Sequence, residues 1–397
     1  MPTGKSLGWP GALPLEVDGY PAAPPELQLE QVHVYVRHGE RTPVGVRLAG
    51  PPASLPEHWK MCHTARRFRA AVASTMELNP QEGSGLSPEE QMPVRKVLER
   101  GDGSVVVGDC LLGELTDLGR QTTFELGRDL RKLYVDSNGK DENLFGNTLA
   151  CKRLEILQIG FAQAAASAWN RTLEPLDKKV SKYIGGNPIR LDGKPRASGV
   201  LDTVRSAIAH GVPVPPEFKE KGVIELIEKA VVQEWFADRT EEVRRLGMGR
   251  LLSDVSEKMS SKAEKGASDP MKILIHSTHD TTLSGLLSTL DVYDDRWPAF
   301  TAAVTFELFR GRDEESSQTP LWQTVLAPFK QSNDPKEHHY VRTRYQNRNL
   351  PLPFCAEEGK HLPGSPEFCT LAAFAERVKE LTPVDWEGEC APAGRTK

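Results

Sequence analysis

Polar and apolar residues alternate through Gln31–Val36 (QVHVYV), and this period of two, rich in valine and tyrosine, predicts a strand. It stops at the polar, glycine-containing run Arg37–Pro43 (RHGERTP). A second apolar run, Met271–His276 (MKILIH), predicts another strand, which ends in Ser277-Thr278-His279-Asp280 ahead of a helical pattern over Thr281–Leu290. Ala302–Phe309 and His339–Arg344 also alternate and predict two later strands, with Trp297-Pro298 in the turn before the first of them.

Elsewhere the period lengthens to that of a helix. Gly113–Gly119 (GELTDLG) opens one that Thr116 can cap, with Leu118, Leu126, Leu130 and Leu133 along one face as far as Tyr134. After a polar turn at Asp136–Asn143, helical patterns follow at Thr148–Trp169, Ser198–His210, Lys221–Ala237 and Asp238–Lys265; Asp238 and Glu241 have capping-box spacing. A short helix is predicted at Cys62–Met76 among surface loops. Two strand–loop–helix units on either side of a helical block predict an α/β fold, an open and mostly parallel sheet flanked by helices. Residues 31–142 plus 268–397 would form this core and 143–267 a helical cap, while the proline-rich residues 1–30 read as a flexible arm.

Composition narrows the function. The chain has 397 residues, of which 38% are hydrophobic, and no run approaches the roughly 20 apolar residues of a membrane-spanning helix. The net charge of -5, without long basic runs, argues against nucleic acid as a partner but leaves room for a small anion held by local arginines. Residues 1–30 lack the basic and apolar regions of a secretory leader, so an intracellular place, cytoplasmic or mitochondrial, is expected. On that footing the six cysteines, widely spaced and without a CxxC pair, are read as buried thiols; Cys355 with Cys369 is the pair to test first.

The chemistry lies at the two strand ends. In open α/β sheets such ends converge on the ligand crevice. A phosphate monoester is a dianion, and Arg37 and Arg41 are guanidinium donors suited to its equatorial oxygens. Between them His38 offers an imidazole nitrogen able to attack phosphorus, and Asp280 can protonate the leaving oxygen, with His279 adding a contact to phosphate. Asp280 could equally cap the helix that follows it. The HxxHD spacing of His276 and His279 lacks the helical setting and carboxylate partner of a zinc hydrolase, so no metal or other cofactor is implied.

RHGxRxP after a first strand, LTxxG opening a helix and HD after a late strand together resemble the signature of the histidine acid phosphatases, a branch of the phosphohistidine-forming superfamily. The likeness extends through GELTDLGRQTTFELGRDLRKLYV, HSTHDTTLSGLLSTLDVYDDRWPAF and YVRTRYQNRNLPLPFC, and is nearest to the lysophosphatidic acid phosphatase group. It implies hydrolysis of phosphate monoesters through a phosphohistidine on His38, with Asp280 as proton donor and Arg37, Arg41 and His279 as phosphate ligands. A lysophospholipid phosphate is the foremost candidate substrate. The family pattern also places, after the LTxxG helix, a strand ending in a further phosphate-binding arginine. Here only the polar turn occupies that position, so one strand-plus-helix unit is missing, as in a spliced or misassembled form. An anion-binding protein with impaired turnover is the alternative.

Overall fold

The computed structural model describes residues 14–64, 98–99, 105–106, 110–135, 151–312 and 338–391. The predicted helix at Cys62–Met76 and the polar turn Asp136–Asn143 fall almost wholly outside them. Strands of six or more residues are labelled β1 (Leu27–Arg37), β2 (Ile273–Thr278), β3 (Ala303–Gly311), β4 (His339–Tyr345) and β5 (Ser365–Thr370). Helices of ten or more are α1 (Asp117–Tyr134), α2 (Lys152–Leu173), α3 (Ala197–Ala209), α4 (Val223–Phe236), α5 (Arg250–Lys265), α6 (Asp280–Thr289) and α7 (Leu371–Leu381). Shorter pieces carry no label.

The chain forms two compact units. One comprises Met1–Arg37, Leu126–Ala162 and Trp235–Lys397; the other comprises His38–Glu125 and Gln163–Glu234.

The first unit is built on a sheet in the order β2-β1-β3-β4-β5. Its α/β character with flanking helices is as expected, but the sheet is mixed. Among the described strands only β1 and β2 run parallel, from Val32 opposite Ile273 to Arg37 opposite Thr278, whereas β1–β3, β3–β4 and β4–β5 are antiparallel. Side-chain period reports which face a residue occupies and is blind to strand direction, so the mostly parallel expectation had no basis beyond the β1/β2 pair.

Alternation along β1 divides its side chains cleanly. Val32, Val34 and Val36 pack with Leu126, Leu130 and Tyr134 of α1, which recur at intervals of four and so share a helix face. Leu118, expected on the same stripe, is 37% exposed. The opposite row, Gln31, His33, Tyr35 and Arg37, is polar yet buried.

Residues 14–30 are tied down, contrary to the expected loose arm. Leu15 and Tyr20 pack on the β1 core, the Tyr20 hydroxyl donates to Glu307 Oε1 (2.6 Å), and Arg342 donates to Pro21 O (2.8 Å). Glu307, fully buried on β3, also accepts from Tyr134 (2.7 Å) and from Arg342 Nε on β4 (2.6 Å). Burial and the neighbouring Glu307 carboxylate push the Tyr20 and Tyr134 hydroxyls well above their ordinary range.

Two other expectations need correction. The helix foreseen over Asp238–Lys265 is broken into Glu241–Arg244, a wide π turn at Arg245–Gly249, and α5. Its cap is Thr240, whose hydroxyl accepts from Val243 N–H, in place of Asp238. The cysteines form three disulfides, Cys62–Cys110, Cys151–Cys390 and Cys355–Cys369, with Cα separations of 5.3, 4.9 and 5.5 Å. The expected buried thiols are thus paired: Cys355–Cys369 is the pair named for testing first, and the fold brings the other two within bonding range as well.

Candidate active site

The first unit places Arg37, His279 and Asp280 at the carboxyl ends of its parallel strand pair. Arg37 is the last residue of β1, opposite Thr278 at the end of β2, and His279 and Asp280 open α6 immediately afterwards. Arg37 is 4% exposed, and its guanidinium is held on three sides. Its Nη2 lies 2.7 Å from Asp280 Oδ2, its Nη1 donates to Pro298 O (2.5 Å), and its Cζ sits 4.3 Å from the centroid of the Phe300 ring.

His279 occupies the cap position of α6 with an exposed side chain that makes no capping bond. Asp280 is therefore the first helical residue, and the simple-cap reading fails. Its Oδ1 does accept the neighbouring Thr281 N–H (2.9 Å), but Oδ2 is committed to Arg37 and to the indole Nε1–H of Trp297 (3.0 Å). His276 plays a different part, stacked on Tyr35 with ring centroids 4.6 Å apart.

In the second unit, His38 follows Arg37 directly in the chain. Its Nδ1 is 2.8 Å from Gly39 O. A carbonyl oxygen only accepts, so Nδ1 carries the proton and Nε2 the lone pair, the tautomer a nucleophile requires. Arg41 donates to Asp202 Oδ1 on α3 (2.9 Å), while Asp202 Oδ2 accepts from Val44 N–H (3.0 Å). Both members of that ion pair are 16% exposed, so the guanidinium is fixed by a partner that is itself anchored.

The LTDLG segment shapes this loop. A Cβ on Gly39 would lie 2.1 Å from Gly119 O, and one on Gly119 would lie 2.0 Å from Glu40 O, so the loop and the start of α1 cross backbone to backbone. Thr116 caps α1 by accepting from Gly119 N–H (3.2 Å), and its hydroxyl lies 2.8 Å from His210 Nε2. His210 is a buttress there. The residues that sequence reasoning missed are Asp202, Trp297 and Phe300, with the Pro298 carbonyl. Trp297-Pro298 was visible as a turn and nothing marked its partner.

The family model described as "Histidine phosphatase superfamily (branch 2)" matches residues 28–157 and 150–346. This chain belongs to that superfamily. The two matched stretches overlap at residues 150–157 of this branch 2 histidine phosphatase. A probable acid phosphatase of Schizosaccharomyces pombe is 30% identical over 447 aligned positions, which span 93% of this chain and 95% of the relative. Rat prostatic acid phosphatase is 29% identical over 42% of this chain and 36% of its own length, and human testicular acid phosphatase 27% over 56% and 46%. Among solved structures, the apo multiple inositol polyphosphate phosphatase of Bifidobacterium longum overlays with a TM-score of 0.49 at 11% identity, covering 91% of this chain and 95% of its own. Hafnia alvei phytase overlays with a TM-score of 0.47 at 14% identity, covering 94% and 100%.

Proposed function

We propose that this branch 2 histidine phosphatase hydrolyses phosphate monoesters through a phosphohistidine on His38. The observation that carries the reading is the 2.8 Å contact of His38 Nδ1 with Gly39 O, which keeps the proton on Nδ1 and the lone pair on Nε2, the tautomer that attack on phosphorus needs. Nε2 bonds to phosphorus as the ester P–O bond breaks, and Asp280 gives its proton to the departing oxygen. Water then attacks the phosphohistidine, Asp280 takes back a proton, and inorganic phosphate leaves. Arg37, Arg41 and His279 neutralise the equatorial oxygens. A lysophospholipid phosphate heads the candidate substrates by resemblance.

A missing strand-plus-helix unit is part of the same proposal. The alignment with the Schizosaccharomyces pombe relative is longer than this 397-residue chain, so that relative holds internal residues with no counterpart here. Among the described strands β2 is the outermost on its side of the sheet, and its Ile275 is 39% exposed. An absent arginine in the cradle would slow turnover about 100- to 1000-fold without abolishing it, so the chain remains a phosphatase with reduced turnover rather than an anion-binding protein. For localisation, the three disulfides support an oxidising compartment over the intracellular place expected from residues 1–30.

The test is steady-state hydrolysis of p-nitrophenyl phosphate at mildly acidic pH, with His38→Ala alongside and EDTA in a parallel series. Turnover that EDTA leaves intact and the substitution abolishes is expected. Equal rates for both proteins would defeat the assignment of His38.

A further inference from the structure

We propose that Trp297 is a positioning residue for Asp280, fixing which carboxylate oxygen delivers the proton to the leaving alcohol. The inference rests on the phosphohistidine reading and extends it to a residue with no assigned role.

It follows from an inventory of lone pairs. A carboxylate offers about four acceptor directions on its two oxygens. On Oδ2 both are filled, by Arg37 Nη2 at 2.7 Å and by Trp297 Nε1 at 3.0 Å. On Oδ1 one is filled, by Thr281 N–H at 2.9 Å. The remaining direction on Oδ1 is where the proton of the acid form sits. As the bond from His38 Nε2 to phosphorus forms and the ester P–O bond breaks, that proton passes to the ester oxygen and Asp280 is left as the carboxylate. Water attacking the phosphohistidine restores it.

Trp297 suits the task because an indole N–H donates and never accepts, so with Arg37 already on Oδ2 a proton there would have to displace one of the two donors. Without it, Oδ2 gains an open direction and the proton has two places to sit, only one of which faces a committed geometry. The indole is itself braced by rings. Phe236 lies 5.1 Å away with its plane tilted by 51°, Trp235 meets it edge-on at 5.7 Å, and Phe236 packs edge-on against Tyr293 at 5.8 Å. Phe236 and Tyr293 are each 8% exposed, so the brace is part of the core.

Trp297→Phe keeps the ring and removes the N–H. Its kcat and KM are measured with p-nitrophenyl phosphate, whose phenolate leaves readily without a proton, and with glycerol 2-phosphate, whose alkoxide does not. The kcat for glycerol 2-phosphate is expected to fall at least about tenfold further than that for p-nitrophenyl phosphate, with both KM values kept within about twofold. The ratio of the two kcat values is independent of the folded fraction, so a partly unfolded variant still gives an answer. An equal fall on both substrates, or no fall on either, overturns the role of Trp297. His38→Ala run beside it separates the two claims: wild-type rates in that variant sink the phosphohistidine reading itself, whereas loss of both activities there together with an unchanged ratio in Trp297→Phe sinks the positioning role alone.

Discussion

His33 should make the fold of the first unit lose stability in acid. It is fully buried on β1, donating from Nε2 to Gln31 Oε1 (3.0 Å), while its Nδ1 has no hydrogen-bond partner among the described residues. A second proton on Nδ1 would be a buried donor without an acceptor, and burial, together with the nearby His276 and Lys258, pushes the imidazole down to about 3. In the unfolded chain the same ring titrates near 6.5. Because the folded value is the lower one, the unfolded state takes up the proton first. The contribution is thus complete above about pH 6.5 and drains away as pH falls toward about 3, at about 1.4 kcal/mol per pH unit. At pH 4.5, two units below the unfolded value, about 2.7 kcal/mol has gone. His276, stacked on Tyr35 and likewise lowered by burial, adds a loss of the same sign. His33→Gln removes the titration at a packing cost of about 1 kcal/mol that does not vary with pH. Urea unfolding followed by tryptophan fluorescence, run from pH 7 to pH 4.5, should show the stability of the wild type relative to the variant falling by about 2–3 kcal/mol, so that the wild type goes from the more stable to the less stable of the two. A gap that stays constant across that range would refute the reasoning.

Other substitutions probe other links. Glu307→Gln leaves the fully buried Arg342 without its anionic partner and should destabilise the fold by about 3–5 kcal/mol, read from the urea midpoint; a shift under about 1 kcal/mol would mean the network is dispensable. Gly119→Ala puts a methyl 2.0 Å from Glu40 O and forces the RHGERTP loop off α1, at a cost of about 1–3 kcal/mol and with a much larger loss of kcat than of stability. Asp202→Asn keeps an acceptor for Val44 N–H but discharges the partner of Arg41, so kcat/KM should fall on the order of tenfold with little change in melting temperature.

How much of this was legible in the sequence depends on the range of the contacts involved. β1, β2, α1 and α6 were foreseen because alternation and helical period are local properties that burial imposes on adjacent residues. Their observed bounds differ from the expected ones by a few residues, as at Leu27–Arg37 against Gln31–Val36. The RHGERTP and HD runs were legible for the same reason, since each is contiguous and follows a strand. β5 and α7 were missed although the signal for the helix existed: Thr370 accepts from Ala373 N–H, and Leu371, Phe374, Val378 and Leu381 recur on one buried face. Asp202 could not be found, because it meets Arg41 across 161 positions and no local pattern marks a carboxylate on α3 as a partner. The same holds for Trp297 with Asp280 and for Cys151 with Cys390, which are separated by 239 positions. Such pairings arise from folding, after the local pattern has done its work.

The central claim is that phosphate passes through His38. The most direct measurement is a rapid-mix experiment with a phosphate-labelled monoester, quenched in base, where phosphohistidine survives, and followed by peptide mapping. Label on the peptide carrying Arg37–Arg41 of the wild-type chain, absent from His38→Ala, is the predicted result. Turnover with no label on the protein, or label that persists in His38→Ala, would contradict it.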